Sequence, residues 1–197
     1  AFLHRSYHAL PKFSTSKGEE VGALYGFTRI LLKILRERRP DYVAVCFDSK
    51  GGTFRDDIYP EYKANRSETE PGLIGQLNTA RDLVSALGLK GVYLKGFEAD
   101  DIIATLARRA EKAGLEAVIV SGDKDAAQLA GESIKLWDGS SPEFSGPEEV
   151  TKKYGVPPAL LPDYFALTGD SSDNVPGVAG VGPKSAARLV QAYGPLE

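Results

Sequence analysis

Apolar residues recur at helical spacing in several segments of the chain. Leu24, Phe27 and Leu31, for example, fall three or four positions apart and would share one face of a helix. The same spacing, ended by Pro40, Gly88 and Gly114, predicts amphipathic helices. These helices cover about residues 21–38, 73–87 and 99–113.

Short apolar runs rich in β-formers lie between these helices. The runs cover residues 42–47, 91–94, 116–120 and 133–137. Their continuous apolar character is typical of buried strands, and strands that alternate with helices predict a mostly parallel sheet with helices on both faces. The expected fold class is therefore α/β.

A shift in composition suggests a boundary late in the chain. Serine, proline and glycine dominate residues 140–146, and the pattern beyond them is helical. We therefore predict an α/β core over residues 1–143 and a helical region over residues 144–197. The chain has no methionine and stops where a helix ends, so both parts are expected to be truncated at their outer ends.

Composition excludes some classes of protein but does not choose among the rest. The chain has 197 residues, of which 42% are hydrophobic and 26% charged, as in globular proteins with a packed core. The longest apolar run is far shorter than the ~20 residues of a membrane helix. The single Cys46 excludes an internal disulfide and indicates a reducing compartment, so we expect a cytoplasmic protein with no membrane partner. A net charge of −3 does not argue for a nucleic-acid partner, unless many acids serve one metal site.

Eight carboxylates follow the predicted strands or the last core helix. Asp48 comes directly after residues 42–47, and Asp123 and Asp125 follow residues 116–120. Ligands of parallel α/β sheets bind at the carboxyl ends of the strands, so these acids are expected to meet at one edge. The eight candidates are Asp48, Glu98, Asp100, Asp101, Asp123, Asp125, Asp170 and Asp173.

Clustered carboxylates repel one another unless cations neutralise them. Mg²⁺ and Mn²⁺ prefer oxygen ligands, and two such ions about 4 Å apart can clamp a phosphodiester for hydrolysis. Each acid alone also has a structural explanation, as a helix cap, a charge favoured by the helix dipole or a turn residue. Their joint position at one sheet edge favours a metal site.

Five motifs occur in an order that resembles a known family. They are Phe47-Asp48-Ser49-Lys50, Tyr62-Lys63-Ala64-Asn65-Arg66, Gly96-Phe97-Glu98-Ala99-Asp100-Asp101, Gly122-Asp123-Lys124-Asp125 and the run from Leu167 to Gly177. Together they resemble the 5′-nuclease domain of bacterial DNA polymerase I, in the flap-endonuclease superfamily.

The resemblance implies a resolvase/PIN-like core and two Mg²⁺ ions, for which Mn²⁺ can substitute. One ion group would be held mainly by Asp48, Glu98, Asp100 and Asp101. The other would involve Asp123, Asp125, Asp170 and Asp173. Members of the family usually begin with a strand that ends in a further aspartate, and this chain begins at the helix after it.

By the same resemblance, residues of about 50–72 form a helical arch for the 5′ single strand. Cationic and aromatic residues suit a flexible polyanion, so Arg55 and Tyr62 are predicted to contact DNA. Lys63 and Arg66 would share one face if the arch becomes helical, and they are predicted to be catalytic, stabilising charge on the scissile phosphate. Without the resemblance, a solvated mobile loop is an equally good interpretation.

Residues 176–187 have the pattern of a helix–hairpin–helix that holds duplex DNA. Gly180 and Gly182 permit a tight turn, and the N–H groups of the following helix would face a phosphate. Lys184, Ser185 and Arg188 are predicted to add contacts, and the family implies a potassium ion at this hairpin. A plain glycine–proline turn is the alternative.

The expected function is a structure-specific 5′-3′ exonuclease or flap endonuclease that acts in replication, on RNA primers of Okazaki fragments, and in repair. We expect a monomer at the bacterial nucleoid, with a polymerase domain linked downstream as one arrangement. A PIN-type ribonuclease would share the acidic core but lack the arch and hairpin. A non-catalytic binder of branched DNA would keep the hairpin and lose cleavage.

Overall fold

The computed structural model describes residues 2–139 and 141–196. These residues form two compact units, Ala1–Asp48 with Ser67–Leu94 and Ser49–Arg66 with Lys95–Glu197, and each unit is considered by itself. In chain order the elements are α1 (Phe2–Ala9), α2 (Gly22–Lys33), β1 (Ala44–Cys46), α3 (Phe54–Ile58), α4 (Pro71–Ala86), β2 (Lys90–Val92), α5 (Ala99–Lys112), β3 (Ala117–Val120), β4 (Ile134–Trp137), α6 (Pro147–Tyr154), α7 (Leu161–Thr168) and α8 (Pro183–Tyr193).

The first unit packs α1, α2 and α4 around one apolar core beside a pair of strands. Strands β1 and β2 are parallel, with Ala44 opposite Lys90 and Cys46 opposite Val92. The helices contribute the apolar faces that the sequence pattern predicted. The buried core residues of this unit are Leu3, Ala23, Phe27, Leu31, Phe47, Leu73, Ala80 and Val84.

The predicted buried strand over residues 42–47 is only partly correct. The strand spans three residues, and Tyr42 lies before it with 82% of its surface exposed. Only Phe47, at the end of the run, is buried. The apolar run identified the strand, but the packing of a three-residue strand depends on its neighbours.

The second unit contains the other strand pair and the helices of the C-terminal region. Strands β3 and β4 are parallel, with Ala117 opposite Ile134 and Val120 opposite Trp137. Helix α5 packs against β3 through Ala107 and Ile119, which are buried with Ile134. The helical region has its own core, made of Ala127, Ala130, Val150, Val156, Leu161, Tyr164, Leu167, Ala186 and Val190.

The sheet differs in one respect from the prediction. Among the described residues, the four strands pair as two separate two-stranded parallel sheets, β1 with β2 and β3 with β4, rather than as one sheet. Hydrophobic runs identify strands but carry little information about which strands become neighbours. No helix in the described ranges is long and apolar enough to cross a membrane.

Candidate functional site

Three of the predicted metal ligands meet in the second unit. Asp125 begins the 3₁₀ turn that follows β3, whereas Asp170 and Asp173 lie in the loop after α7. One carboxylate oxygen from each of the three side chains lies within 4.8 Å of the others. All three residues are half-buried, and together they form a compact set of hard oxygen donors.

The loop that carries Asp170 and Asp173 is held by its own backbone. Asp170 and Val175 exchange two hydrogen bonds of 2.8 Å, which close a small hairpin between them. Gly169 has φ +74° and lies so close to Gly177 that a Cβ atom there would be 2.3 Å from the Gly177 nitrogen. The loop is therefore narrow at its base, and these backbone contacts fix the main-chain positions of Asp170 and Asp173.

The three carboxylates differ in electrostatic environment. Burial, followed by the charges of Asp123 and Asp170, raises the pKa of Asp125 to about 6. Burial also acts to raise the pKa of Asp170. However, hydrogen bonds from Lys124 and from the backbone N–H groups of Ser172 and Asp173 outweigh this effect and lower it. Asp125 thus combines burial with repulsion from neighbouring carboxylates.

A second group of carboxylates lies at the start of α5. Asp101 accepts a hydrogen bond of 3.0 Å from the Glu98 backbone N–H, a capping contact at the helix start. The terminal nitrogens Nη1 and Nη2 of Arg55 both donate to Asp101, at 2.9 and 2.7 Å. The bond to Asp101 raises the pKa of Arg55, and the bond from Arg55 holds the pKa of Asp101 below its usual value.

Lys63 and Tyr62 connect Glu98 to Asp173. Lys63 Nζ lies 2.5 Å from Glu98 Oε1 and 3.8 Å from Asp173 Oδ2. The Tyr62 hydroxyl lies 3.1 Å from Glu98 Oε2 and 2.9 Å from Asp173 Oδ2. Burial, together with the bond to Asp173, strongly raises the pKa of Tyr62, so it remains a neutral donor.

The rest of this segment docks on the loop of Asp170 and Asp173. Arg66 pairs with Asp173 Oδ1 at 2.5 Å and donates to the Ser172 carbonyl, while Asn65 donates to the Ser171 carbonyl. The backbone N–H of Lys63 donates to the Asp173 carbonyl at 2.9 Å. The predicted arch residues therefore contact the carboxylates directly.

The predicted arch segment is helical only in part. Only Phe54–Ile58 is helical within residues 50–66, and α4 already begins at Pro71. Lys63 has φ +56°, which breaks any helix through it, so Lys63 and Arg66 do not share a helical face. They reach the acids from a series of turns whose backbone is held by the Asp173 loop.

The remaining predicted residues are placed less tightly. Asp48 lies two residues beyond the end of β1 in the first unit, and its membership of the metal site stays a prediction. Asp100 is exposed in the first turn of α5, and Asp123 accepts a hydrogen bond from the Asp125 N–H at 3.1 Å.

The predicted hairpin has the expected turn and helix start. Gly180 has φ +79°, and Gly182 precedes α8, whose first residue is Pro183. The exposed side chains in or near the first turn of α8 are Lys184, Ser185 and Arg188.

Three residues with clear roles escaped the sequence analysis. Lys124 lies 3.1 Å from Asp170, Asn174 donates to the Glu61 carbonyl, and Gly169 permits the close approach to Gly177. Lys124 could have been found, because it lies between Asp123 and Asp125. The roles of Asn174 and Gly169 depend on contacts distant in sequence.

The donor set fits divalent cations of the hard class. The Asp125, Asp170 and Asp173 triad supplies only carboxylate oxygens, which suit Mg²⁺ or Mn²⁺ better than softer metals. The pKa of Asp125 is raised by burial and by the negative charges of Asp123 and Asp170, and a bound cation would offset those charges.

Two family models together match the entire chain. Residues 1–155 match the 5′-3′ exonuclease N-terminal resolvase-like domain, and residues 156–197 match the 5′-3′ exonuclease C-terminal SAM fold. The chain belongs to the 5′-3′ exonuclease family. The expected fold, a resolvase-like α/β domain followed by a helical domain, is thereby confirmed.

Curated relatives of this exonuclease-family chain are of two kinds. The 5′-3′ exonuclease of Aquifex aeolicus is 41% identical over 197 residues, which cover all of this chain and 68% of that protein. DNA polymerase I of Deinococcus radiodurans is 47% identical over 199 residues, which cover all of this chain and 20% of that protein. The chain thus spans about a fifth of the polymerase relatives that it matches.

Two solved structures of low sequence identity share the fold. The T5 5′-exonuclease with bound zinc has a TM-score of 0.78 at 20% identity, covering 87% of this chain and 67% of that one. The catalytic core of Rad2 in complex with DNA has a TM-score of 0.61 at 20% identity, covering 98% of this chain and 58% of that one.

Proposed function

We propose that this chain is the catalytic part of a structure-specific 5′-3′ exonuclease or flap endonuclease that hydrolyses DNA with two divalent ions. The observation that carries the proposal is the contact of Lys63, Tyr62 and Arg66 with Glu98 and Asp173. Cations that can hold a phosphate and acids that can hold metal belong to one site. Family membership and the DNA-bound Rad2 relative support DNA as the substrate.

We assign the metal site to Mg²⁺, with Mn²⁺ as a substitute. Asp125, Asp170 and Asp173 would hold one ion, and Glu98 and Asp101 would contribute to the other. Asp48, Asp100 and Asp123 complete the proposed ligand set. Divalent ions bound there supply an activated water and Lewis-acid stabilisation of the phosphodiester.

The cationic residues of the chain have a separate task. Lys63 offers three donors on a flexible stem, and Arg66 offers a planar fork that matches two phosphate oxygens. Both are paired with carboxylates of the proposed site. They could therefore exchange those carboxylates for a phosphate by small movements of the side chains. Tyr62 positions Glu98 and Asp173 through its hydroxyl, and its ring lies under the Lys63 ammonium, 4.7 Å from the nitrogen.

The hairpin is proposed to hold the duplex next to the cleaved strand. The N–H groups that start α8 suit a phosphate, and Lys184 and Arg188 are exposed one helical turn apart. Such contacts position DNA without reading its sequence. A potassium ion at Gly180 and Gly182 is part of this proposal.

The cellular role is proposed to be removal of RNA primers and repair of DNA, by a monomer in the bacterial cytoplasm at the nucleoid. The matched relatives include both a DNA polymerase I and a much shorter exonuclease. A linked polymerase therefore stays a prediction, which the coding sequence after Glu197 would test.

A flap-cleavage assay tests the proposed function. A 5′-labelled flap is incubated with the intact protein and Mg²⁺, and with the Asp173→Asn variant. We expect cleavage near the flap junction that EDTA abolishes and that Asp173→Asn reduces by at least about 100-fold. Cleavage that persists in EDTA would contradict the metal mechanism.

Two further arms separate the alternatives. Preference for an all-RNA strand over the DNA flap would favour a PIN-type ribonuclease. Tight flap binding with no cleavage in Mg²⁺ or Mn²⁺ would favour a non-catalytic binder. Lys184→Gln with Arg188→Gln should weaken binding and reduce its salt dependence, while cleavage of saturated complexes stays unchanged.

A further inference from the structure

Arg81, on α4 of the first unit, has an unusual set of contacts. Its Nη2 donates a hydrogen bond of 2.7 Å to the main-chain carbonyl of Asp48. Its guanidinium carbon lies 5.4 Å from the ring centre of Phe47 and 5.4 Å from that of Tyr93. One side chain therefore contacts the residues that follow both strands of the parallel pair.

The bond to Asp48 continues where the strand ladder stops. The Phe47 N–H donates to the Val92 carbonyl at 2.9 Å, and this is the last ladder bond between the two chain segments among the described residues. One residue further along, beyond the last ladder bond, the Asp48 carbonyl accepts its hydrogen bond from Arg81. The backbone is thus held at Phe47 by the sheet and at Asp48 by an arginine.

The chain after Asp48 is poorly suited to hold that residue. The following residues include Gly51 and Gly52, and Gly51 has φ +98°. Glycines leave the backbone free to adopt many conformations, so they give a neighbouring side chain little fixed direction. Arg81 supplies a donor of fixed direction to Asp48 from outside this segment.

Stability alone does not explain an arginine at this position. Its Nε is buried and has no hydrogen-bond partner within the described ranges. A buried donor without a partner is costly, whereas an apolar side chain of similar length would fill the space between two rings without that cost. Residues that break a local rule in this way are expected near functional sites.

We propose that Arg81 is a positioning residue for the metal-binding carboxylate of Asp48, an inference that rests on the proposed function of the site. Arginine suits this task because its planar fork stacks on aromatic rings while it donates in a fixed direction. The rings of Phe47 and Tyr93 hold the guanidinium plane of Arg81, and that plane directs Nη2 at the Asp48 carbonyl. In this role Arg81 acts through Asp48.

Metal binding without DNA gives the primary test. Mn²⁺ is titrated calorimetrically into the intact protein and into Arg81→Met, Arg81→Lys and Asp48→Asn variants. Loss of a residue that orients a ligand typically weakens metal binding about 10- to 100-fold, so we expect about tenfold weaker binding for Arg81→Met. Arg81→Lys keeps a donor and should fall between Arg81→Met and the parent.

The control replaces another arginine that lies over a ring. The guanidinium carbon of Arg29 lies 5.7 Å from the ring centre of Tyr25, on α2 of the same unit. Arg29→Met should bind Mn²⁺ as the parent does. Circular dichroism tests whether each variant is folded. If Arg81→Met is unfolded, the test rests on Arg81→Lys, whose Mn²⁺ binding should be weaker than that of the parent.

Asp48→Asn separates failure of the inference from failure of the proposed function. Weak Mn²⁺ binding by Asp48→Asn with parental binding by the Arg81 variants would overturn the positioning role alone. Parental binding and cleavage by Asp48→Asn would remove Asp48 from the site, and the inference with it. In the double variant, Arg81→Met should add no further loss to Asp48→Asn, and an additive loss would overturn the inference.

Discussion

Lys63 Nζ lies 2.5 Å from Glu98 Oε1, so a side chain proposed to hold the phosphate pairs with a proposed metal ligand. Only 23% of the Lys63 side chain and 15% of the Glu98 side chain are exposed, which limits screening of this pair by solvent. If Glu98 is a metal ligand, as proposed, Lys63 and the metal ion would compete for the same carboxylate. The same relationship holds between Arg66 and Asp173.

Removal of the Lys63 charge should have opposite effects on metal binding and on cleavage. In Lys63→Gln, Glu98 no longer has to leave an ammonium partner before it binds metal. A partly exposed ion pair contributes up to about 1 kcal/mol, so Mn²⁺ affinity without DNA should rise about fivefold. Loss of a donor to the phosphate should slow single-turnover flap cleavage about 100-fold or more at saturating metal.

The matched control is Lys12→Gln, which removes an exposed lysine from its pair with Glu20. That variant should change neither quantity. Weaker metal binding by Lys63→Gln would contradict the competition, and unchanged cleavage would contradict the phosphate role.

Metal affinity should depend on pH through Asp125, whose pKa is raised to about 6 by burial and by Asp123 and Asp170. Below that value a proton occupies the carboxylate, so Mn²⁺ affinity should fall by up to about tenfold per pH unit, and above it the contribution levels off. Because the folded pKa is raised, this carboxyl stabilises the apo fold at low pH, and that stabilisation is lost as the pH rises from about 4 through about 6.

Calorimetric titrations at pH 5, 6 and 7 measure the affinity, and chemical denaturation over the same range measures apo stability. In Asp125→Asn the dependence due to this residue should disappear from both. An affinity that is flat between pH 5 and 6 in the parent would show that Asp125 is ionised throughout.

The sequence predicted the gathering of three carboxylates better than it predicted the backbone path of the residues that contact them. Asp125, Asp170 and Asp173 were identified from their positions after a strand and a helix, since these positions depend on local sequence. The left-handed backbone of Lys63 was not, because it depends on the bond from its N–H to the Asp173 carbonyl, 110 positions away. Local patterns cannot contain such a contact.

A similar limit applies to the sheet and to Arg55. The apolar runs identified all four strands, but their pairing in two separate ladders depends on tertiary packing. Arg55 was predicted to bind DNA from its charge, and its two bonds to Asp101 indicate that it also orients an acid. The positive charge of Arg55 suggested a polyanionic partner. Only the structure shows that a carboxylate of the same unit already lies within hydrogen-bond distance.

Gly169→Ala should strongly destabilise the loop that carries two proposed ligands. The added Cβ would lie 2.3 Å from the Gly177 nitrogen, in a backbone with φ +74°. We expect a loss of about 2–4 kcal/mol in the free energy of unfolding, with weaker Mn²⁺ binding.

Gly114→Ala is the control, because the φ angle of Gly114 is +73° but nothing lies within 4 Å of the new Cβ. It should lose only about 1 kcal/mol, the cost of the left-handed backbone. Equal losses would show that the close approach to Gly177 is unimportant.

The pair of Arg55 with Asp101 should stabilise the fold only where Asp101 is ionised. The bond from Arg55 holds the pKa of Asp101 below its ordinary 3.8, so the stabilisation is complete above that pH and is lost as the pH falls through the lower, folded-state value. Arg55→Gln should therefore cost about 1 kcal/mol in free energy of unfolding at pH 7, after allowance for solvent screening, and progressively less below about pH 4. Chemical denaturation at pH 7, 5 and 3 measures this difference.

The control is Arg108→Gln, which removes an exposed pair with Glu111 on the same helix as Asp101 and should cost much less at pH 7. A deficit for Arg55→Gln that is the same at pH 3 as at pH 7 would mean that Arg55 stabilises the fold by packing on Phe54 rather than through Asp101.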